Sequence, residues 1–402
     1  MTAVWWWVRR GVAPPVALVV LAAVASTVAS RSDWFLEADW GLRLTSSTVV
    51  LVSPLVAAGA AFVTARRYHP SLAAAARAGT RAPWVHLAPA AALAGAAGVA
   101  YVLVWTGVLV AVAASGGIGP TDVWVVPETV VPVVAAAALG GVVGHLVRSL
   151  VSPLVAAVLV LLTAVVASPW GRGPFEAVTT YGTLTGLERP PAQAAVTVVA
   201  AGLIVLGCAL AVTRLSAGDP PRVVGSVLAL ALVLATVAPA AWPWQDQVYR
   251  VSTEATGCVG SNPRLCGPQS RLPLLAMAQP TFARAYERLR GTPFVAPTAF
   301  RVTRLDHYSQ LDGAAPLDFD PSQIPDDRAA TSQVVAALLR PHQCADLFDA
   351  TGAVALLDAQ DVVRPWLTGV LEDRVPAQPV PDEVADAFSV VLSCRVMTGD
   401  LS

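Results

Sequence analysis

Long apolar runs and short polar gaps alternate along the first part of the chain, and a mostly polar stretch follows. The seven runs cover residues 12–30, 45–65, 87–115, 129–147, 150–168, 194–213 and 223–242. A helix needs roughly 20 apolar residues to cross a bilayer, and in lipid its backbone must satisfy its own hydrogen bonds. The pattern therefore predicts an α-helical polytopic membrane domain of about seven transmembrane helices over residues 1–242, surrounded by the lipid bilayer.

The distribution of arginine predicts the orientation of this domain. The chain has no lysine, and nine arginines fall in one set of gaps: Arg9, Arg10, Arg66, Arg67, Arg77, Arg81, Arg148, Arg214 and Arg222. The alternate gaps hold four, Arg31, Arg43, Arg172 and Arg189, together with seven acidic residues. Because positive residues are enriched in cytoplasmic loops, we expect the amino terminus in the cytoplasm and residues 243–402 outside the plasma membrane.

The first run has an alternative interpretation. Arg9 and Arg10, the apolar residues after them and the small residues at 25–30 also fit a cleaved signal peptide. The length of the run and the prolines at its start, Pro14 and Pro15, favour a transmembrane helix. Cleavage would leave the orientation of the other runs unchanged.

The polar stretch predicts one small extracytoplasmic domain, of α/β or mostly helical class. Residues 243–402 carry 13 arginines and 19 acidic residues, a formal charge of −6, whereas residues 1–242 are net +5. Apolar periodicity predicts a helix from Phe282 to Leu289 that stops at Gly291, and further helices at 332–339, 362–371 and 382–396. Residues 294–305 favour one or two strands, and the Asp- and Pro-rich residues 313–328 a loop. Neither part has a basic patch interleaved with aromatic residues, so no nucleic-acid partner is predicted.

Four of the five cysteines lie in this domain, at Cys258, Cys266, Cys344 and Cys394. An even number of cysteines outside the cytoplasm indicates disulfides, and four allow three connectivities. We favour Cys258–Cys266, which closes a short loop, with Cys344–Cys394. Reduced, buried thiols are the alternative. A zinc site that includes His342 has less support, because the ligand spacing typical of structural zinc is missing.

Sequence motifs for catalysis are missing. The chain has no H-E-x-x-H and no G-x-S-x-G, and without lysine it lacks the residue that a phosphate-binding loop requires. Asp306 and His307 are interpreted as solvated loop residues. The seven runs contain no acidic residue, so no proton relay is predicted, and His145 and Arg148 are interpreted as interfacial. We expect neither an enzyme nor a cofactor.

Several segments match an organisation seen in exporters. The second run contains Ser-Pro-Leu-Val-Ala-Ala-Gly-Ala-Ala at 53–61 and closes on Arg66 and Arg67. An aromatic, basic stretch at 5–10 precedes the first run, and an Ala-rich segment at 71–84 ends in Gly-Thr-Arg-Ala-Pro-Trp. The first six runs resemble the membrane subunit of type-2 ABC exporters, in the divergent form common in actinobacteria. Trp84 stands where that family has an arginine. The seventh run and the tail, which begins with Cys-x₇-Cys, resemble uncharacterised actinobacterial permease-like proteins.

This resemblance implies a function and a partner. The protein would be the permease-like membrane subunit of an ABC-type export system, working with a separate ATP-binding subunit, as a homodimer or heterodimer. Arg66, Arg67, Arg77 and Arg81 would lie on or beside the cytoplasmic segment that docks on this ATPase, although each also fits a topology determinant alone. The alternative is a non-transporting, membrane-anchored envelope sensor or assembly protein that uses its outer domain for binding.

Overall fold

The computed structural model describes residues 12–31, 33–66, 84–120, 122–167, 187–216, 221–240, 250–292, 294, 297–302, 314–339 and 350–393. Its first part is helical: α1 (Ala13–Ala29), α2 (Ala38–Ser47), α3 (Val49–Arg66), α4 (Trp84–Ala114), α5 (Val125–Val147), α6 (Ser152–Ala167), α7 (Pro191–Ser216) and α8 (Pro221–Ala240). Each predicted apolar run therefore forms a helix, with ends shifted by a few residues. We call these helices the helix bundle.

Length and composition separate these helices into two groups. Among the described residues, four stretches are long and apolar enough to cross a membrane: Val49–Arg66, Ala88–Ala114, Val125–Val147 and Pro191–Leu215. Three shorter apolar stretches lie in α1, α6 and α8, namely Ala13–Ala29, Ser152–Ala164 and Val224–Val233. The helical membrane class is thus supported, and the number of seven crossings stays a prediction.

The outer surface of the bundle carries many large apolar side chains. Large aliphatic residues are exposed on most of its helices, among them Leu18, Leu51, Val99, Leu154, Leu206 and Leu230. A monomeric soluble protein rarely exposes a large continuous apolar surface. Contact with lipid tails explains this surface, because lipid is as apolar as leucine.

Helices α3 and α5 approach each other closely at the centre of the bundle. A Cβ atom added at Gly140 would lie 2.7 Å from the carbonyl carbon of Ala57, and one added at Gly144 would lie 2.5 Å from the carbonyl oxygen of Ala61. Small residues four apart allow this contact between backbones, as in other membrane helix pairs. Gly140 and Gly144 are therefore required by packing.

The sequence did not predict α2 as a separate helix. The second apolar run was expected to start at residue 45, but residues 45–47 belong to α2, and α3 starts at Val49. The hydroxyls of Ser46, Ser47 and Thr48 each donate to a backbone carbonyl three or four residues earlier. Such bonds compete with helix propagation, which fits a helix boundary at this point.

Two expectations about polar residues in the bundle were wrong. Helix α5 begins at Val125, so Glu128 lies in its first turn, and the apolar helices are not free of acidic residues. His145 is 6% exposed, so its side chain packs inside the bundle and does not extend to the surface as snorkelling would require. Arg148 is exposed and donates from Nε to the His145 carbonyl, at the end of α5.

The C-terminal domain, residues 250–393, combines a small sheet with helices. Strands β1 (Leu187–Glu188) and β2 (Arg250–Val251) pair antiparallel, and β3 (Thr256–Val259), β4 (Arg264–Pro268), β5 (Ala299–Val302) and β6 (Ala315–Leu317) form a sheet in that order. The β3–β4 pair is antiparallel, and the other two pairs are parallel. The helices are α9 (Leu272–Leu289), α10 (Asp327–Leu339), α11 (Ala350–Leu371) and α12 (Asp382–Ser393). Aromatic contacts fill the core, with the rings of Phe282 and Phe300 5.3 Å apart and edge to face.

The expected loop at 313–328 was wrong in part, because it contains β6 and the start of α10. Pro316 lies within β6 opposite Arg301. Proline is tolerated in a strand at the edge of a sheet, and β6 is the last strand in the order. The composition of this segment therefore concealed a buried strand.

Candidate functional site: charges between the helix bundle and the C-terminal domain

Two loops at one end of the bundle, one with Phe35 and Leu36 and the other with Ile118, form a surface that contacts the C-terminal domain. We call this surface the platform. The backbone N–H of Ile118 donates to the Leu36 carbonyl at 3.0 Å, and the N–H of Ala38 donates to the Ile118 carbonyl at 3.2 Å. Leu36 is 3% exposed and belongs to the same buried cluster as the core of the C-terminal domain. The two parts of the chain are thus joined by apolar packing at Leu36.

A buried arginine of the C-terminal domain lies beside this platform. Arg271 directly precedes α9 and is 5% exposed. Its Nη2 is 2.7 Å from Oδ2 of Asp39, and its Nη1 is 3.4 Å from Oε1 of Glu37. Asp39 lies in the first turn of α2 and Glu37 directly precedes that helix, so Arg271 contacts α2 at its amino-terminal end.

A second buried arginine continues the network into the bundle. Arg43, on α2, forms ion pairs with Asp122 and with Glu128 of α5. The other carboxylate oxygen of Glu128 is 2.6 Å from Nη2 of Arg189, which lies just before α7. The backbone N–H of Asp122 donates to Oδ1 of Asp39 at 3.1 Å, which connects the two halves.

We call these seven residues the interdomain charge network: Glu37, Asp39, Arg43, Asp122, Glu128, Arg189 and Arg271. Three arginines face four carboxylates, so the set carries a formal charge of −1. Taking charges out of water costs several kcal/mol per ion, and ion pairing offsets this cost. The pairs of Arg271 with Glu37 and Asp39 form only when the C-terminal domain sits in this position on the bundle.

Strand pairing provides a second connection. Strand β1 precedes Arg189 and pairs with β2, which leads into the C-terminal domain. The Glu188 carboxylate accepts hydrogen bonds from the N–H and the hydroxyl of Thr253, at 3.2 and 3.0 Å. The chain on both sides of the network is therefore held in place.

The predicted site residues are described only in part. Cys258 and Cys266 form the expected disulfide and are cross-strand neighbours in the β3–β4 hairpin. Cys344 and Cys394 lie outside the described residues, so their pairing stays a prediction. Arg66 is the last residue of α3, with its guanidinium carbon 4.2 Å from the ring centroid of Phe62. Arg67, Arg77 and Arg81 lie outside the described residues.

The sequence did not identify the network as a site. Arg43 and Arg189 were counted only as topology determinants, and Arg271 only in the charge of the tail. One indication was available, because the set of alternate gaps to which Arg43 and Arg189 belong carries seven acidic residues for four arginines. Asp39, Asp122 and Glu128, the buried partners of the arginines, are among these seven acidic residues.

The network can hold its charged side chains at fixed positions and in fixed orientations. In the part of the chain that the structure describes, no group of three or more His, Cys, Asp or Glu residues could hold a metal ion. Comparison of the chain with protein-family models, characterised proteins and solved structures finds no match. The function is therefore argued from the geometry.

Proposed function

We infer that this protein is a plasma-membrane receptor or assembly factor whose C-terminal domain lies outside the membrane and acts as a binding module. The observation that carries this inference is the buried contact of Arg271 with Asp39 and Glu37. A domain anchored in this way cannot turn freely on its linker. Binding of a ligand or partner protein to the C-terminal domain therefore alters the ion pairs between Arg271 and α2 and, through Arg43, the contact between α2 and α5.

Two observations support the outer location. The nine-to-four distribution of arginines favours a position of the network at the outer ends of the helices. The Cys258–Cys266 disulfide fits an oxidising compartment, because such bonds are rare in the cytosol.

Cysteine labelling on intact cells tests both the location and the anchoring. Leu36 and Phe35 are neighbours on the platform, but Leu36 is 3% exposed and Phe35 is 41% exposed. A membrane-impermeant maleimide should label Phe35→Cys quickly and Leu36→Cys slowly. Adding Arg271→Asp places three carboxylates together, so the domain should detach and Leu36→Cys should be labelled as fast as Phe35→Cys. The chain without an added cysteine gives the background.

Two results would contradict the inference. Labelling of Phe35→Cys only after cell lysis would place the platform on the cytoplasmic side. Slow labelling of Leu36→Cys in the Arg271→Asp variant would mean that the ion pairs do not anchor the domain.

A permease-like subunit is the second candidate. It is favoured by Arg66, which ends α3 at the predicted cytoplasmic side, and by the central position of α3 against α5 and α6. In this proposal Arg66, Arg67, Arg77 and Arg81 contact a separate ATP-binding subunit, and two membrane subunits form a dimer. The interdomain charge network would then couple the outer domain to the transport helices.

Co-purification tests this second candidate. Arg77→Glu with Arg81→Glu should abolish co-purification of an ATPase, while Phe35→Cys in the same chain is still labelled from outside. The labelling is the control, because these arginines also help to set the topology. If no ATPase co-purifies with the unmodified protein, the permease proposal fails and the receptor proposal is unaffected.

A further inference from the structure

A polar cleft of about 330 Å³ opens in the C-terminal domain. Its walls are the second half of α9, the first turns of α10 and the turn that follows α11. All three walls contribute arginines: Arg284 and Arg288, Arg328, and Arg374. Ligand sites commonly measure about 300–1,000 Å³, so the cleft suits a small molecule or a single group of a larger one.

Arg288 has a structural role in this cleft. It donates to the carbonyl oxygen of Leu371 and forms an ion pair with Asp373. Asp373 has a φ of 59°, the left-handed conformation in which many helices end. Arg288 therefore stabilises the carboxyl-terminal end of α11, and we do not assign it to ligand binding.

The other three arginines are available to a ligand. Arg284 is 3.5 Å from Asp327, and these side chains are 58% and 91% exposed. Arg374 is 64% exposed and forms an ion pair with its near neighbour Glu372. Arg328 is exposed and has no carboxylate within 4.0 Å among the residues that the structure describes. Exposed ion pairs contribute only about 0–1 kcal/mol, so an anion can replace these partners.

The chemistry of the three arginines favours phosphate. A guanidinium offers a planar pair of donors that matches the oxygens of phosphate, and each contact is charge-assisted. Arg284, Arg328 and Arg374 come from three segments, so their guanidiniums can contact several oxygens of one phosphate group once the exposed pairs with Asp327 and Glu372 are exchanged. Thr331 also lines the cleft, but its hydroxyl donates to the Asp327 carbonyl. Residues 243–402 are net −6, whereas the lining of the cleft, with four arginines and the carboxylates of Asp327, Glu372 and Asp373, has a formal charge of +1.

Helix α9 connects this cleft to the interdomain charge network. Arg271 directly precedes α9, and Arg284 lies on the same helix about 20 Å further along, at about 1.5 Å per residue. One face of α9 is buried in the domain core, through Leu274, Leu275, Ala278, Phe282, Ala285 and Leu289. Helix α9 contains Pro280, which removes one backbone hydrogen bond, but its packed face joins the segments on both sides, so a shift at Arg284 can reach Arg271 through one element.

We propose that the cleft binds the phosphate group of a small molecule or polymer through Arg284, Arg328 and Arg374, and that α9 transmits its occupancy to the ion pairs of Arg271. This proposal rests on the receptor function inferred above and names its ligand chemistry. The ligand draws α10 and the turn after α11 towards α9. The amino-terminal end of α9, where Arg271 contacts Glu37 and Asp39, then shifts.

Calorimetry with inorganic phosphate on the purified full-length protein in an uncharged detergent tests the binding. Chloride at matched ionic strength is the reference. Arg328→Gln should weaken binding by about tenfold, the loss of one charge-assisted contact. Arg290→Gln is the matched control, since Arg290 is also exposed, follows α9 and pairs with Glu287 outside the cleft. Absence of saturable binding, or an equal effect of both substitutions, would overturn the site.

The labelling assay tests the transmission separately. Phosphate should change the labelling rate of Leu36→Cys by severalfold, and should not do so when Arg328→Gln is also present. If phosphate binds but the rate stays constant, the transmission is wrong and the cleft remains. The anchoring test with Arg271→Asp needs no phosphate, so its failure is distinguishable from failure here. Competition by phosphatidylglycerol nanodiscs, compared with phosphatidylcholine nanodiscs, would assign the phosphate to a lipid headgroup; lack of competition would assign it to a soluble ester.

Discussion

The guanidinium of Arg271 donates to the carboxylate of Asp39 at 2.7 Å, across 232 residues of the chain. Both side chains are almost fully buried, and the contact joins the start of α9 to the start of α2. Leu36, close to Asp39 in the chain, belongs to the buried core cluster of the C-terminal domain. This hydrogen bond therefore forms only when the C-terminal domain is packed against the bundle.

Removing one partner of this pair should be costly. Arg271→Met leaves Asp39 and Glu37 buried without their arginine, and such a loss typically costs about 3–5 kcal/mol. Asp39→Asn should be destabilising as well, and the double substitution should cost less than the sum of the two. Thermal unfolding in detergent measures this cycle. Arg290→Met, which breaks an exposed pair with Glu287, should change the midpoint little. Additive effects of the two substitutions would contradict a direct interaction.

Two adjacent glycines of α5 give a matched test of the bundle core. A Cβ at Gly140 would overlap the backbone of Ala57, whereas a Cβ at Gly141 would meet only the Cβ of Ala90 at an ordinary 3.5 Å. Both substitutions to alanine favour the helix equally. Gly140→Ala should therefore lower the unfolding midpoint clearly, since the overlap involves backbone that cannot rotate away. Gly141→Ala should leave the midpoint unchanged or raise it slightly. The reverse order would mean that α3 and α5 do not pack in this register.

The sequence predicted the apolar helices well and the contacts between distant segments poorly. An apolar run indicates a helix through local composition, and each of the seven runs forms one. Helix α2 was missed because Asp39 and Arg43 make its sequence look like a polar loop, although both side chains are buried. Their partners lie far away in the chain, with Glu128 85 residues from Arg43. Periodicity within one segment carries no information on such pairs. Strand β6 was missed for a related reason, since its burial comes from pairing with β5.

The Cys258–Cys266 disulfide should stabilise the β3–β4 hairpin. Closing a loop of this size in the unfolded chain contributes about 2–3 kcal/mol in the chain-entropy model. Replacing both cysteines with serine should increase hydrogen exchange at the amides of β3 and β4, while α3 and α5 keep their protection. Peptide mapping without reduction should show Cys258 joined to Cys266, and it also tests the predicted pairing of Cys344 with Cys394. A crossed pairing would contradict both.

The C-terminal domain should lose stability in alkali through Tyr286. Its hydroxyl donates to the carbonyl of Pro297, and its ring packs edge to face against Phe300. Burial raises the pKa of Tyr286 above the ordinary value of about 10. Above pH 10 the unfolded chain releases this proton while the folded domain retains it, so the contribution of Tyr286 to the unfolding free energy is complete below pH 10 and falls as the pH rises.

Tyr286→Phe isolates this contribution. At pH 7 the variant should be less stable by about 1 kcal/mol, because the hydrogen bond to Pro297 is lost. Above pH 10 the difference should shrink by up to about 1.4 kcal/mol per pH unit, because phenylalanine cannot ionise. Denaturant unfolding followed by fluorescence between pH 7 and pH 11 measures both effects. Parallel pH curves for the two proteins would mean that Tyr286 ionises as easily in the folded domain as in the unfolded chain, and that its hydroxyl is not buried against Pro297.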